Sequence, residues 1–151
     1  MSFTEFSKSL WKNDIEYLGV KYLKNVSEGD KRIVVVNGKI IGASLRLPAN
    51  GSWLCNVAQG GRSVSAEVTE AERKIVERVN VFLSRMGIAM YGVDTLVDDD
   101  GRRVLSELNT TSIGGVPQIA RQTGLPLVDE TVDQIIEFIK EKIDEPKRAV
   151  A

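Results

Sequence analysis

Asp94, Glu107 and Asn109 are the residues of this chain whose types and spacing could do chemistry, because they fall on two strand-like runs that meet across a turn. Met90–Val97 and Val104–Asn109 flank Asp98-Asp99-Asp100-Gly101-Arg102-Arg103, and Asp-Gly is a strong two-residue hairpin signal. With Asp100 and Gly101 at the centre of the turn, Asp99 pairs with Arg102, Leu96 with Leu105 and Asp94 with Glu107, while Gly92 faces Asn109. Side chains alternate along a strand, so Asp94, Leu96, Leu105, Glu107 and Asn109 are expected on one face. Carboxylates about 5 Å apart repel and cannot both stay ionised cheaply. With no basic residue between them, the pair needs a cation. Mg²⁺ fits, since it is hard, prefers oxygen ligands and commonly takes one or two carboxylates beside substrate phosphates. The competing reading is a register slipped by one residue, which would send the two carboxylates to opposite faces.

The elements that must hold such a pair can be read from local signals. Ser2-Phe3-Thr4-Glu5 is a capping box, and Phe3, Phe6 and Leu10 follow helical spacing, so a short helix ending at Asn13-Asp14 opens the chain. Val20-Lys21-Tyr22-Leu23 reads as a strand before the polar turn Ser27–Asp30. Arg32–Val36 and Lys39–Arg46 form a hairpin around Asn37-Gly38. Pro48 to Ser65, rich in Gly and Asn with Trp53 and Leu54 exposed in its middle, reads as a long mobile loop of the kind that serves active sites. A second capping box, Thr69–Glu72, starts a helix with Ile75, Val76, Val79, Leu83 and Met86 on its apolar stripe, stopped by Gly87. A short helix from about Pro117 to Thr123 is capped by Gly124. The last helix starts at Asp129 and presents Val132, Ile135, Ile136, Ile139 and Ile143 on one face, before a frayed tail from Glu145.

Bulk properties narrow the chemistry further. The chain has 151 residues, 42% of them hydrophobic, enough for one ordinary core. A net charge of -1 offers no general attraction to nucleic acid or to an anionic membrane, so neither is an expected partner. No apolar run approaches the roughly 20 residues of a membrane span, and no signal-peptide pattern opens the chain, so a cytoplasmic location is expected. There is no histidine, which removes Ser-His-Asp hydrolysis and imidazole-based zinc sites. Cys55 is the single cysteine; it lacks a His partner for nucleophilic work and reads as a half-buried loop residue.

Taken together, Glu28-Gly29-Asp30-Lys31-Arg32, the Arg46–Arg62 loop, Gly92-Val93-Asp94 and Glu107-Leu108-Asn109-Thr110-Thr111-Ser112 resemble the C-terminal part of bacterial glutathione synthetase, an ATP-grasp ligase. The resemblance runs from about Val20 to Ile143, with the motifs in family order and near family spacing. It implies an α+β fold: the C-terminal half of an ATP-grasp fold, mainly antiparallel, with helices packed on one face. It implies a leading helix and linker over 1–19, the ATP-grasp subdomain over 20–145 and a tail over 146–151. In that family ATP phosphorylates the carboxylate of γ-glutamylcysteine, and glycine attacks the acylphosphate, releasing ADP and phosphate. ATP and Mg²⁺, with Mn²⁺ as a substitute, are the implied cofactors, and small peptide and amino-acid substrates the implied partners.

Residue by residue, the resemblance assigns the metal to Asp94, Glu107 and Asn109, and Lys21, Tyr22 and Leu23 to the strand over the adenine, with a buried edge strand as the alternative. Asp30 matches the position near the ribose and is otherwise a turn residue. Leu108 faces away from its neighbours and reads as core, although the family puts an apolar residue from this segment beneath the base. Arg32, on the nucleotide side, and Arg46 and Arg62, on the catalytic side, match arginines that hold anionic groups, for which the planar bidentate guanidinium is suited. Arg46, Asn56, Gly60, Gly61, Ser112, Gly114 and Gly115 match positions that enclose the peptide substrate, the last three also being ordinary helix-start residues.

Two departures stand out. Leu54 occupies a place where the family commonly has an arginine, which points to altered substrate choice. Upstream of Val20 the family carries a substrate domain and a lid whose lysines grip the phosphates; their absence here leads to the expectation that the chain is a fragment or split subunit of such a ligase, inactive by itself and completed by a separate chain carrying those domains, or else a non-catalytic remnant. A homo-oligomer is implied for the complete enzyme.

Overall fold

A computed structural model describes residues 2–10, 18–50, 55, 60–111 and 113–144. Its centre is a five-stranded sheet in the order β3-β2-β1-β4-β5, with every pairing antiparallel. The strands are β1 (Asp30–Val36), β2 (Lys39–Leu47), β3 (Arg62–Ser65), β4 (Met90–Val97) and β5 (Arg103–Asn109). The helices are α1 (Phe3–Leu10), α2 (Glu70–Arg85), α3 (Val116–Thr123) and α4 (Leu127–Asp144).

The central strand explains the layering. Ile33 to Val36 are all fully buried, so β1 is covered on both faces rather than one. Ile33 and Val35, with Ala43, Tyr91 and Val93, pack against Val76, Val79 and Leu83 of α2. Val34 and Val36, with Ile41, pack against Val116 and Ile119 of α3 and Leu127 at the start of α4. Each such side chain contributes about 1.5–3 kcal/mol by leaving water. The helices therefore occupy both faces, which corrects the expectation of one, while the antiparallel α+β architecture stands.

Local signals placed most of the elements. Ser2 and Glu5 exchange cap hydrogen bonds at the start of α1, and Thr69 and Glu72 do so at α2. The β1–β2 turn takes Asn37 (φ 48) and Gly38 (φ 73) into the left-handed region, the geometry a two-residue hairpin turn prefers. Gly124 (φ 72) closes α3.

Four expectations are corrected. Residues 18–23 form no strand; the chain passes through a turn and a single 3₁₀ turn, Val26–Glu28, into β1. Arg62–Ser65 is an edge strand paired with β2, not loop. The last helix begins at Leu127, not Asp129, and Val132, Ile136, Ile139 and Ile143 lie 43–74% exposed. Met86 falls outside the α2 stripe and is exposed. The expected end of α1 and the tail from Glu145 lie outside the described residues.

Among the described residues, no helix is long and apolar enough to cross a membrane.

Candidate functional site

The β4–β5 hairpin does oppose Asp94 to Glu107 and Gly92 to Asn109, by a different route from the expected one. The turn takes three residues, with Asp98 N–H donating to the Arg102 carbonyl and Gly101 at φ 80. Val97 then faces Arg103, Leu96 faces Val104, and Thr95 faces Leu105. A bulge after Thr95, with Ser106 as the extra residue, brings Glu107 back opposite Asp94. Leu105 is thereby moved off the face of Asp94 and onto that of Thr95, beside α2.

On that α2 face a second polar group is buried. Glu72, fully buried, accepts from Lys31 Nζ at 2.8 Å, from Thr69 N at 2.9 Å and from the Thr95 hydroxyl at 3.0 Å. Arg103 donates to the Thr95 and Gly29 carbonyls at 3.0 and 3.2 Å. This network holds Arg103 and Thr95 on α2's side and so favours the bulged register over a two-residue turn, which would place Arg103 on the opposite face.

The opposite face carries the candidate site. Alternation on β1 puts Arg32 beside Asp94, its cross-strand partner, and Asp30 beside Arg46 of β2. Arg32 Nε and Nη2 donate to the two Asp94 oxygens at 2.8 and 2.6 Å, and Arg46 Nη2 reaches Asp94 Oδ2 at 2.9 Å and also pairs with Asp30. The absence of a basic neighbour expected from the hairpin alone is thus corrected: two guanidinium groups already neutralise Asp94. The Arg32 hydrogen bonds to Asp94 hold its guanidinium more firmly protonated than usual. Asn109 Nδ2 bridges the carboxylates, 3.0 Å from Glu107 Oε1 and 3.5 Å from Asp94 Oδ2.

These side chains line a pocket of about 470 Å³, closed on one side by Gly114, Gly115 and Gln118 where α3 begins. Burial pushes the Asp30 carboxyl up despite Arg46. Two polar atoms in the wall, Asp30 Oδ1 and Arg46 Nε, are buried with no hydrogen-bond partner among the described residues. Buried groups of this kind ordinarily find partners, so the wall is set up to receive polar ligand atoms. Asp94 and Glu107 offer carboxylate oxygens beside the Asn109 amide, which turns its Nδ2 toward them, and the hard oxygen atoms of the set suit Mg²⁺.

Of the residues picked from sequence, Asp30, Arg32, Arg46, Asp94, Glu107, Gly114 and Gly115 line this pocket, with Asn109 alongside. Lys21, Tyr22 and Leu23 do not: Lys21 and Tyr22 are exposed, and Lys21 pairs with Asp99 at 2.7 Å. Arg62 stands exposed at the head of β3, after Gly60 and Gly61, and none of the three lines the pocket. Leu108 is 40% exposed and pairs with Val93, on the α2 side, so it is neither core nor pocket wall. Asn56, Ser112, Trp53 and Leu54 lie outside the described residues. Sequence reasoning missed Ser44, which the alternation of β2 places opposite Arg32, and Gln118, one turn into α3. It also missed Cys55 as a wall residue; burial pushes its thiol up, away from the reactive thiolate.

Comparison with known proteins identifies the family of the chain. Residues 5–124 match the family described as prokaryotic glutathione synthetase, ATP-grasp domain. Glutathione synthetase of Prochlorococcus marinus is 32% identical over 119 residues, which are 79% of this chain and 37% of that protein. The enzyme of Thermosynechococcus vestitus is 39% identical over 107 residues, 71% of this chain and 32% of that protein. The chain thus spans about a third of the length of the curated relatives it matches. Among solved structures, the D-alanine–D-alanine ligases of Coxiella burnetii and of Bacillus anthracis, the latter complexed with ATP, superpose with TM-scores of 0.54 and 0.53. They cover 93% and 81% of this chain and are 40% and 42% covered in return, at 19% and 18% identity, a likeness of fold. By the extent of its match, the chain belongs to the prokaryotic glutathione synthetase ATP-grasp family.

Proposed function

We propose that the chain supplies the metal and phosphate side of an ATP-dependent ligase of the glutathione synthetase type, which joins γ-glutamylcysteine to glycine through an acylphosphate and forms ADP and phosphate. The observation that carries this reading is the opposition of Asp94 and Glu107 beside Asn109, in a pocket that also holds Arg32 and Arg46. Support also comes from the ATP-grasp ligase PsnB, whose structure contains Mg and ADP and which shares this fold with a TM-score of 0.52.

In this reading Asp94, Glu107 and Asn109 hold Mg²⁺, whose contribution is to neutralise phosphate charge during transfer to a carboxylate. Arg46, on β2, stands across β1 from the pair with one donor unmet, placed to receive an anionic oxygen as charge builds on the transferred group. Asp30 offers its free oxygen as acceptor to a hydroxyl such as that of a ribose. No side chain caps the start of α3 at Gly115, and Gly114, Gly115 and Gln118 line the pocket, so helix-start N–H groups are available beside it. The alternating face thus provides orientation and charge, which is most of what phosphoryl transfer to a carboxylate demands.

A second reading, a related ligase with a different acceptor, is favoured by Leu54 in place of the arginine common in the family.

The test is co-expression of this chain with the N-terminal two domains of a curated relative, followed by an assay of ADP release. Release dependent on γ-glutamylcysteine and glycine, lost in Asp94→Asn and Glu107→Gln, is the expected result. Release driven only by other peptides would select the second reading. No release with any substrate, together with no Mn²⁺ binding by the chain in a paramagnetic-resonance titration, would overturn both.

A further inference from the structure

We propose that α4 pairs antiparallel with α4 of a second copy of this chain, through a stripe of aliphatic side chains that the fold leaves uncovered. The pairing is independent of the nucleotide reading, since no residue of α4 lines the pocket. The helix already has one face turned inward: Leu127, Thr131 and Gln134 are buried, and Ile135 packs against the cluster that holds Val34, Val36, Val116 and Ile119. Val128, Val132, Ile136, Ile139 and Ile143 lie on another face and are 43–74% exposed.

At 3.6 residues per turn these five side chains fall within roughly a quarter of the helix circumference. From Val132 onward they are spaced four, three and four residues apart. That narrow repeat is the seam of two helices packed on each other, whereas a helix covering a sheet carries a broader apolar stripe. The seam runs unbroken for roughly 23 Å along the axis. Single exposed aliphatic residues are ordinary on a protein surface, but a continuous stripe of them marks an interface.

Charge selects a second copy as the occupant. Asp133 and Lys140 stand two turns apart on the same edge of the stripe, the acidic one toward the N-terminus and the basic one toward the C-terminus. Neither makes an ion pair among the described residues. Their neighbours are engaged within the chain: Glu137 pairs with Lys39 at 3.5 Å, and Lys142 lies 5.7 Å over the Phe138 ring. In an antiparallel two-fold pairing equivalent edges face each other, so Asp133 of each copy meets Lys140 of the other. Ile136 then packs against Ile139 of the second copy, and Val132 against its Ile143. The acidic first turn, with Asp129 and Glu130, comes beside the basic last turn of the opposite helix. A parallel pairing would bring like ends of the helix dipoles together and leave Asp133 and Lys140 unmatched. The stripe is therefore complementary to itself in one orientation only.

The test is sedimentation equilibrium of the full chain over a concentration series reaching the millimolar range. Wild type should form a dimer, and a chain that stays monomeric throughout would overturn the proposal. Ile139→Glu should abolish the dimer, and its persistence would place the contact elsewhere. Asp133→Lys and Lys140→Glu should each weaken the dimer by at least about tenfold, because every substitution acts twice across the two-fold. The double variant Asp133→Lys/Lys140→Glu should regain wild-type dimerisation. Failure of the double variant to do so would sink the antiparallel register. The charge variants sit outside the apolar stripe, so they decide the matter even where Ile139→Glu perturbs folding, which circular dichroism reports. Co-expression with the N-terminal two domains of a curated relative should leave the dimer intact. Loss of the dimer on binding those domains would give the stripe to another part of the ligase and overturn the proposal.

Discussion

Arg32 grips both oxygens of Asp94 from the neighbouring strand, at 2.8 and 2.6 Å, with Asp94 2% exposed and Arg32 largely enclosed. The pair is bidentate and desolvated, the geometry in which a guanidinium binds a carboxylate most strongly. Without a metal, the arginine is thus the counter-ion of the carboxylate proposed to bind one. Removing Arg32 would leave this buried charge under-compensated, with Arg46 as its remaining guanidinium partner.

Arg32→Met should therefore lower the stability of the chain by about 3 kcal/mol in the absence of divalent cations. Millimolar Mn²⁺ should recover part of that loss, because a cation at Asp94 and Glu107 replaces the missing guanidinium and binds only the folded state. Urea denaturation with and without Mn²⁺ measures both effects. A variant that is destabilised but gains no more from Mn²⁺ than wild type would count against the metal assignment.

Glu72 should make the fold sensitive to acid. Burial pushes its carboxyl up, but Lys31 and the Thr69 N–H outweigh burial and hold it below the ordinary glutamate value of 4.5. A lowered folded value means the unfolded chain binds the proton first, so the stabilisation is present above about pH 4.5 and lost as pH falls through the folded value. Glu72→Gln should be less stable than wild type near pH 7, yet the two should converge in acid. Parallel denaturation curves from pH 7 to pH 3 would contradict the role given to Glu72.

Tyr91 gives the opposite sign at the alkaline end. It is fully buried, its hydroxyl donates to Asn80 Oδ1 at 3.1 Å, and burial pushes its phenol up to about 12. The folded state keeps the proton longer than the unfolded one, so Tyr91 costs stability progressively as pH rises from about 10 to about 12. Tyr91→Phe should remove that slope, worth on the order of 2 kcal/mol at its full extent. Absorbance titration should show one phenol missing from the set that ionises around pH 10.

Two glycines near the site should respond differently to alanine. Gly29 has φ 84, and a Cβ there would stand 2.6 Å from the Arg46 carbonyl oxygen, a backbone atom that cannot step aside. Gly29→Ala should cost at least about 2 kcal/mol, from the left-handed conformation and the clash together. Gly92, opposite Asn109, would place a Cβ 3.5 Å from Arg32 Nε, an ordinary contact. Gly92→Ala should fall within about 0.5–1 kcal/mol of wild type, and thermal denaturation of the two variants tests the contrast.

Features written in adjacent residues were legible in the sequence. The two capping boxes, the Asn37-Gly38 turn and the glycine closing α3 each depend on chemistry within four or so positions, and each stands where it was expected. What escaped depends on which strands are neighbours. Arg32 meets Asp94 only because β4 inserts beside β1 instead of extending the β1–β2 hairpin. Strand β3, Arg-Ser-Val-Ser, has an exposed and polar composition and becomes a strand through its ladder to β2. The bulge at Ser106 follows from a buried network anchored on α2, which no turn signal records. One missed signal was present: the unbroken apolar run Ile33–Val36 is the mark of a strand covered on both faces, and it argued against helices on one side.

The pairing of Asp94 with Glu107 also limits how the loop between them can change length. A two-residue turn with regular strands and a three-residue turn with one bulge consume the same number of intervening residues and leave both carboxylates on the same face. The geometry is therefore indifferent to turn type but not to residue count. A single insertion without a compensating bulge would rotate Glu107 toward α2 and separate the pair, while two inserted residues would extend the hairpin by one rung and preserve it. Parity, more than sequence identity, is what this loop has to conserve.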